Sequence, residues 1–106
     1  MAVKVIENDD LSAVEAAPVA LLDVWATWCG PCKMIAPIVE ALSEEFADKA
    51  EFFKADADEN KGIVKKLRVM SIPNIVMFKD GKVAARHVGF QGAEEMREWF
   101  TSNLQH

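Results

Sequence analysis

The sequence has only two cysteines and two histidines among its 106 residues. Small proteins that depend on disulfides for stability carry several cysteine pairs, so this chain must be held together by an apolar core. Hydrophobic residues make up 51% of it, which is enough for such a core. With five glycines and four prolines, nothing indicates disorder or a fibrous repeat. We therefore expect a single domain over residues 1–106.

Basic charge is also scarce, with 12 Lys and Arg against 17 Asp and Glu and a net charge of −5. This balance argues against binding to nucleic acid or to an anionic membrane surface. The longest apolar run is too short to span a bilayer. The first ten residues lack the pattern of a signal peptide. We therefore expect a cytoplasmic monomer, in a compartment where a permanent structural disulfide is unfavourable.

The first half of the chain alternates between strand and helix patterns. A short strand around residues 3–5 precedes a helix over residues 11–17, which Asn8, Asp9 or Asp10 can cap and Pro18 ends. The run ALLDVW (20–25) is typical of a strand buried on both faces, although Asp23 interrupts it. From Pro31, apolar residues recur at helical spacing as far as residue 46, and an internal proline, at 37, should kink this helix.

The second half continues the alternation and ends in a hairpin. EFFKA (51–55) reads as a strand, and the acidic turn 56–60 can cap a helix that carries residues 63, 64 and 67. Asp80-Gly81 between the apolar runs 75–78 and 83–88 is a strong hairpin signal, and a last helix covers residues 93–104. The order βαβαβαββα predicts an α/β fold, with a mixed five-stranded sheet and four helices on its two faces.

The two cysteines form a Cys-x-x-Cys pair in WATWCGPCK (25–33). A zinc site needs three or four ligands, but the remaining soft ligands are His87, in the hairpin, and His106, at the chain end, and neither has ligand spacing. A disulfide between Cys29 and Cys32 would close too small a loop to stabilise the fold much. We therefore expect no metal, and redox chemistry is the favoured function.

The predicted location of the pair supports this interpretation. Cys29 and Cys32 lie where a buried strand ends and a helix begins, and there the unpaired N–H groups and the helix dipole stabilise a thiolate. Cys29 should be the exposed attacking thiol, and Cys32, one turn inside, should be shielded and resolve the mixed disulfide. Gly30 permits a tight turn, and Pro31 suits the first helical turn because it has no N–H.

The motif WCGPCK, with an Asp in the preceding strand and Ile72-Pro73 later in the chain, resembles the thioredoxin family. The resemblance extends from ALLDVWATWCGPCKMIAP to Lys79-Asp80-Gly81 and Gly89. It implies the thioredoxin fold and the activity of a protein dithiol–disulfide oxidoreductase without a bound cofactor. It also implies recycling by a thioredoxin reductase, fed by NADPH or ferredoxin, and protein disulfides as substrates.

The resemblance also implies roles for residues around the cysteines. Asp23 would pass protons to and from Cys32, although an edge carboxylate in solvent is the simpler alternative. A buried, unpaired carboxylate is costly and tends to have a raised pKa, which suits proton transfer. Lys54 is either the partner of Asp23 or an ordinary solvent-facing lysine. Pro73 either begins a strand or forms a cis bond after Ile72, which would free the Ile72 backbone to pair with an extended substrate.

Substrate-facing positions follow from the same resemblance. Trp28, Pro31, Ile72 and Pro73 would form an apolar docking rim, and Gly89 with its neighbour, Phe90, a second loop beside it. Asn74 stands where the family most often has Thr, and Val24 where it most often has Phe, so substrate preference can differ from that of the family.

Gly30-Pro31 lacks the His found in oxidising and isomerising members, which favours a reductant. The rival interpretations are a specialised oxidoreductase or oxidant on the same scaffold, and a binding subunit whose thiols do not matter.

Overall fold

The computed structural model describes residues 2–105, so His106, weighed above as a metal ligand, lies outside the described residues. This part of the chain contains five strands and four helices in the predicted order: β1 (Val3–Val5), α1 (Ser12–Ala16), β2 (Val19–Trp25), α2 (Gly30–Glu45), β3 (Glu51–Asp56), α3 (Lys61–Lys66), β4 (Asn74–Lys79), β5 (Lys82–Val88) and α4 (Ala93–Leu104). The fold predicted from the sequence is confirmed.

The strands form one mixed sheet with the order β1-β3-β2-β4-β5. β3 runs parallel to both β1 and β2, whereas β4 runs antiparallel to β2 and to β5. β2 is the central strand, and its residues from Ala20 to Val24 are all buried. A central strand covered by helices on both faces explains why ALLDVW reads as nearly continuous apolar sequence.

A hydrophobic cluster fills each face of the sheet. One cluster joins Ala20, Leu22 and Val24 of β2 to residues of α1 and α3, such as Val14 and Ile63. The cluster on the opposite face packs β2, β3 and β4 against α2 and α4, and it includes Leu21, Phe52, Ile75, Ile35, Val39, Met96 and Phe100. Since successive strand side chains alternate between faces, Asp23 lies on the same face as Leu21, the face that α2 covers.

The β4–β5 connection confirms the predicted hairpin. Asp80 and Gly81 have φ angles of 51° and 81°, and a type I′ turn requires positive φ at both central positions. Pro37 lies inside α2, as expected.

The start of α1 differs from the prediction. Asn8 and Asp9 do not cap it, because both have a positive φ and turn the chain before the helix begins. Asp10 is nearer to the expectation, since its Oδ1 accepts a hydrogen bond from Ser12 N–H at 3.0 Å. Asp9 instead caps α3, where its Oδ1 accepts from Ile63 N–H at 2.9 Å. Asn60, the residue before α3, makes no side-chain bond to that helix and accepts from Asp9 N–H at 2.9 Å.

Candidate active site

Cys29 and Cys32 are joined by a disulfide at the junction between β2 and α2, with their Cα atoms 5.3 Å apart. Cys29 is the residue that caps α2, and its Sγ accepts a hydrogen bond from Cys32 N–H at 3.2 Å. A turn from Ala26 places it there, because Cys29 N–H donates to the Ala26 carbonyl at 3.2 Å. Cys29 Sγ therefore lies at the positive end of the helix dipole, where negative charge is stabilised.

Both cysteines are buried, which differs from the exposure expected for Cys29. Its exposed fraction is 5%, against 2% for Cys32. Ala26, Trp25 and Ile72 pack around the pair and cover it. The prediction was wrong on this point because Ile72 is distant in sequence and covers the pair only in the folded chain.

The backbone geometry does not require glycine at position 30. Gly30 begins α2 without a positive φ, and a Cβ on it would meet no atom within 4 Å. Pro31 follows within the first turn of the helix, where its missing N–H costs no hydrogen bond.

Asp23 is a buried carboxyl in the central strand, so the alternative of a solvated edge residue is wrong. Its exposed fraction is 4%, and its Oδ1 has no hydrogen-bond partner among the described residues. Burial raises the pKa of Asp23 from 3.8 to about 7 and outweighs the positive charge of Lys54, which acts in the opposite direction. The carboxyl can therefore gain and lose a proton near neutral pH.

Lys54 lies beside Asp23 in the sheet but makes no ion pair with it. The two residues are partners in the parallel β2–β3 register, so their side chains share one face. Within residues 2–105, the structure shows no ion pair between them. Lys54 Nζ lies instead 5.9 Å from the centre of the Trp25 ring. Trp25, the last residue of the run that reads as a buried strand, is only half-buried.

The Ile72–Pro73 peptide bond is cis, as the family resemblance implies. Ile72 packs against the cysteine pair, and Pro73 is buried directly before β4. Gly89, with a φ of 91°, donates its N–H to the Pro73 carbonyl at 2.9 Å. Phe90, the next residue, is 45% exposed. The structure thus brings the two segments predicted to face substrate into contact.

An open groove of about 360 Å³ adjoins the cysteine pair. It is lined by Trp28, Ala57, Val64, Val69, Met70, Ser71 and Ile72. Trp28 is 69% exposed, and its Nε1–H donates to Asp58 Oδ2 at 2.8 Å, which holds the indole at the edge of the groove. Pro31, predicted as part of this rim, is exposed but does not line the groove.

Met70 is the most exposed of the groove residues that sequence reasoning missed. It is 93% exposed, more than any other large hydrophobic side chain in the described part of the chain. The apolar pair Val69-Met70, directly before Ser-Ile-Pro, was the signal that could have revealed it. Together with Trp28, Met70 places exposed apolar surface along the groove.

Residues 2–105 show neither a metal-binding cluster nor a membrane-spanning helix. No group of three or more His, Cys, Asp or Glu residues there could hold a metal ion. Over the same range, no helix has the length and apolar character needed to cross a membrane.

The comparisons with known proteins agree with this geometry. The thioredoxin family model matches residues 3–102. Thioredoxins from two Staphylococcus aureus strains, Mu50 and MW2, are each 48% identical over 102 residues, which cover 96% of this chain and 97% of theirs. The solved structure of Malassezia sympodialis thioredoxin superposes with a TM-score of 0.86 at 35% identity, covering 96% of this chain and 90% of that one.

The family match spans nearly the whole chain, and the cysteine pair lies at a helix start, where a thiolate is stabilised for thiol–disulfide exchange. The chain belongs to the thioredoxin family and is a thiol–disulfide oxidoreductase.

Proposed function

We propose that the protein is a general reductant of protein disulfides, with Cys29 as the nucleophile and Cys32 as the resolving thiol. Cys29 thiolate attacks a substrate disulfide, forms a mixed disulfide and releases the first substrate sulfur as a thiolate. Cys32 thiolate then attacks Cys29 Sγ, which releases the second substrate sulfur and forms the Cys29–Cys32 disulfide. Two electrons pass to the substrate, which leaves as a dithiol after protonation.

One observation carries these assignments: Cys29 Sγ sits at the start of α2, 3.2 Å from the N–H of Cys32. This N–H and the helix dipole stabilise the Cys29 thiolate, an effect for which thioredoxins are a familiar example. Cys32, inside the helix and almost fully covered, has access to Cys29 Sγ because the two sulfurs already form the disulfide.

Asp23 is the proposed proton acceptor and donor for Cys32. Cys32 must lose a proton before it attacks, and an acceptor is most effective when its pKa is close to the working pH. The pKa of Asp23, about 7 because of burial, meets this condition. Its place on the sheet face that α2 covers, with one carboxyl oxygen unpartnered, supports the assignment. Lys54, its neighbour in the register, is proposed to moderate that pKa through its charge.

The segment around the cis bond is the proposed docking site for substrate backbone. Within residues 2–105, neither the N–H nor the carbonyl of Ile72 has a hydrogen-bond partner. Both groups are therefore free to pair with an extended polypeptide, as in strand addition. Trp28, Pro73 and Gly89 flank this position, and the apolar groove beside it would receive a substrate side chain.

The direction of the reaction and the partners complete the proposal. Members of the family exchange electrons with a reductase and with disulfide-containing proteins. Gly30-Pro31 provides no cation to stabilise the reduced thiolate further, which favours reduction of the substrate. We propose recycling by a thioredoxin reductase that uses NADPH or ferredoxin, and a cytoplasmic, single-domain monomer.

The experiment that tests the function is reduction of insulin disulfides with dithiothreitol as the electron source, followed by redox equilibration with glutathione. We expect rapid turnover that Cys29→Ser abolishes, and a potential more reducing than that of glutathione. Turnover with an oxidising potential would reverse the proposed direction. A folded protein without turnover would contradict the proposal and favour a binding subunit, whose partner binding a Cys29→Ser, Cys32→Ser double variant would retain.

A further inference from the structure

The segment between α3 and β4, residues 67–73, forms much of the groove beside the cysteine pair. It supplies four of the seven lining residues: Val69, Met70, Ser71 and Ile72. The segment belongs to no helix or strand, and Arg68 within it has a positive φ of 55°. The shape of the groove therefore depends on the contacts that hold this segment in place.

One arginine side chain makes contact at both ends of the segment. Arg86 of β5 donates from Nη2 to the Leu67 carbonyl at 2.7 Å and from Nη1 to Asn74 Oδ1 at 3.0 Å. The structure shows no ion pair between Arg86 and an acidic side chain within residues 2–105. Because a guanidinium is a rigid planar fork, it fixes the Leu67 carbonyl relative to Asn74. Its contribution is geometric and does not neutralise a carboxylate.

Asn74 extends this constraint to the residues around the cis bond. Its exposed fraction is 2%, and its Nδ2 donates to the Ser71 carbonyl at 3.2 Å while its Oδ1 accepts from Arg86. The side-chain amide therefore links the Ser71 carbonyl, on the far side of Ile72 and Pro73, to the Arg86 guanidinium. A threonine hydroxyl is a single group on a shorter side chain, so it could not present a donor and an acceptor at the same separation.

We infer that Arg86 and Asn74 are positioning residues of the substrate groove. They hold residues 67–73 so that Met70 and Ile72 can contact a polypeptide docked beside Cys29. The inference rests on the proposed function, since it concerns how that site admits protein substrates. Among the described residues, the side-chain hydrogen bonds of Arg86 and Asn74 go to Leu67, Ser71 and each other, and none goes to Cys29 or Cys32. Their loss should weaken the binding of protein disulfides and leave sulfur exchange with a small disulfide unchanged.

The test compares Arg86→Gln with the wild-type protein on two substrates. With insulin, we expect KM to rise roughly fivefold, equivalent to about 1 kcal/mol, with kcat unchanged. With 5,5′-dithiobis(2-nitrobenzoate), the rate constant of the reduced protein should stay within about twofold. Arg68→Gln is the matched control, because the exposed Arg68 side chain lies in the same segment and makes no hydrogen bond among the described residues. Arg68→Gln should leave both the KM for insulin and the rate constant with the small disulfide at the wild-type level.

A second variant tests whether the two residues act together. Asn74→Ala should also raise KM for insulin, and the double variant should raise it by less than the product of the two single effects, because both changes remove the shared Arg86–Asn74 hydrogen bond. If the increases in KM of the two single variants multiply in the double variant, the two residues act independently, which would contradict a shared network. If Arg86→Gln does not fold, Arg86→Lys replaces it, since lysine keeps the charge but cannot span both acceptors.

The outcomes separate this inference from the proposed function. Wild-type protein that fails to reduce insulin would contradict the proposed function, and with it the inference. Active wild-type protein and a folded Arg86→Gln variant with normal KM would overturn the inference alone. An equal loss with insulin and with the small disulfide would also overturn it, because that pattern indicates general damage to the cysteine site.

Discussion

Asp23 and Lys54 lie side by side in the β2–β3 register, yet the structure shows no ion pair between them within residues 2–105. The Asp23 carboxyl is thus buried without a close counter-ion, and one of its oxygens has no hydrogen-bond partner. Burial of the charged form is unfavourable, and this raises the pKa of Asp23 to about 7.

The raised pKa of Asp23 predicts how stability depends on pH. Below its ordinary value of 3.8, the carboxyl is protonated in both the folded and the unfolded chain and imposes no penalty. As the pH rises from 3.8 to about 7, the unfolded chain releases this proton more readily than the native state, so stability is lost. Relative to Asp23→Asn, the wild-type free energy of unfolding should fall by roughly 4 kcal/mol across this range.

Urea unfolding of both proteins at a series of pH values measures this difference. The buried amide of the Asp23→Asn variant can change the free energy of unfolding by a constant amount at every pH. This constant cancels, because only the change of the free energy with pH is compared. A difference between wild type and Asp23→Asn that stays constant from pH 3.8 to about 7 would show that Asp23 titrates normally.

Asp23 should also control the rate at which Cys32 resolves a mixed disulfide. Asp23→Asn removes the proton acceptor, and decay of the mixed disulfide at neutral pH should slow on the order of 100-fold. The difference in decay rate between Asp23→Asn and wild type should narrow at alkaline pH, where the Cys32 thiol ionises without a proton acceptor. Stopped-flow measurements of this decay test the role, with the exposed Asp48→Asn as a control that leaves the rate unchanged. Equal rates for Asp23→Asn and wild type at neutral pH would remove Asp23 from the mechanism.

Met70 should contribute to substrate affinity through the groove. Met70→Gln places a polar amide where an apolar side chain is 93% exposed, and we expect KM for insulin to rise roughly fivefold from about 1 kcal/mol of lost apolar contact. Met34→Gln is the control, because Met34 is 61% exposed but lies on α2 outside the groove. Steady-state kinetics with the same KM for all three proteins would show that the groove does not bind this substrate.

Local patterns in the sequence identified the parts of the site that depend on one segment. Asp23 stands out because it interrupts an apolar strand, and the cysteine pair because it lies where strand periodicity changes to helix periodicity. Features built from distant segments could not be predicted in this way. Burial of Cys29 depends on Ile72, and the Arg86 contacts join β5 to both ends of the segment before β4.

Helix capping shows the same limit on a smaller scale. Asp9 is a suitable cap for α1 by sequence distance, but the positive φ angles at Asn8 and Asp9 turn its carboxylate toward α3, 54 residues away from Asp9 at Ile63. A cap supplied across the chain leaves no signal in the sequence around the helix that it caps.

The Asp9 cap predicts a measurable stability difference. Asp9→Gly keeps the positive φ accessible but removes the acceptor for Ile63 N–H, so it should lower the free energy of unfolding by about 1 kcal/mol. Asp9→Asn retains an acceptor and tolerates positive φ, so its stability should stay within about 0.5 kcal/mol of wild type. Urea unfolding that finds the two variants equally stable would contradict a capping role for Asp9.

The most direct measurement of the mechanism uses Cys32→Ser, which retains the proposed nucleophile and lacks the resolving thiol. After reaction with insulin, intact-mass spectrometry should show a covalent mixed disulfide through Cys29 that dithiothreitol releases. Cys29→Ser, treated identically, should yield no such adduct. Accumulation of the adduct in Cys32→Ser alone is the result that our account predicts. No adduct in Cys32→Ser, or a stable adduct through Cys32 in Cys29→Ser, would contradict the assignment of Cys29 as the nucleophile.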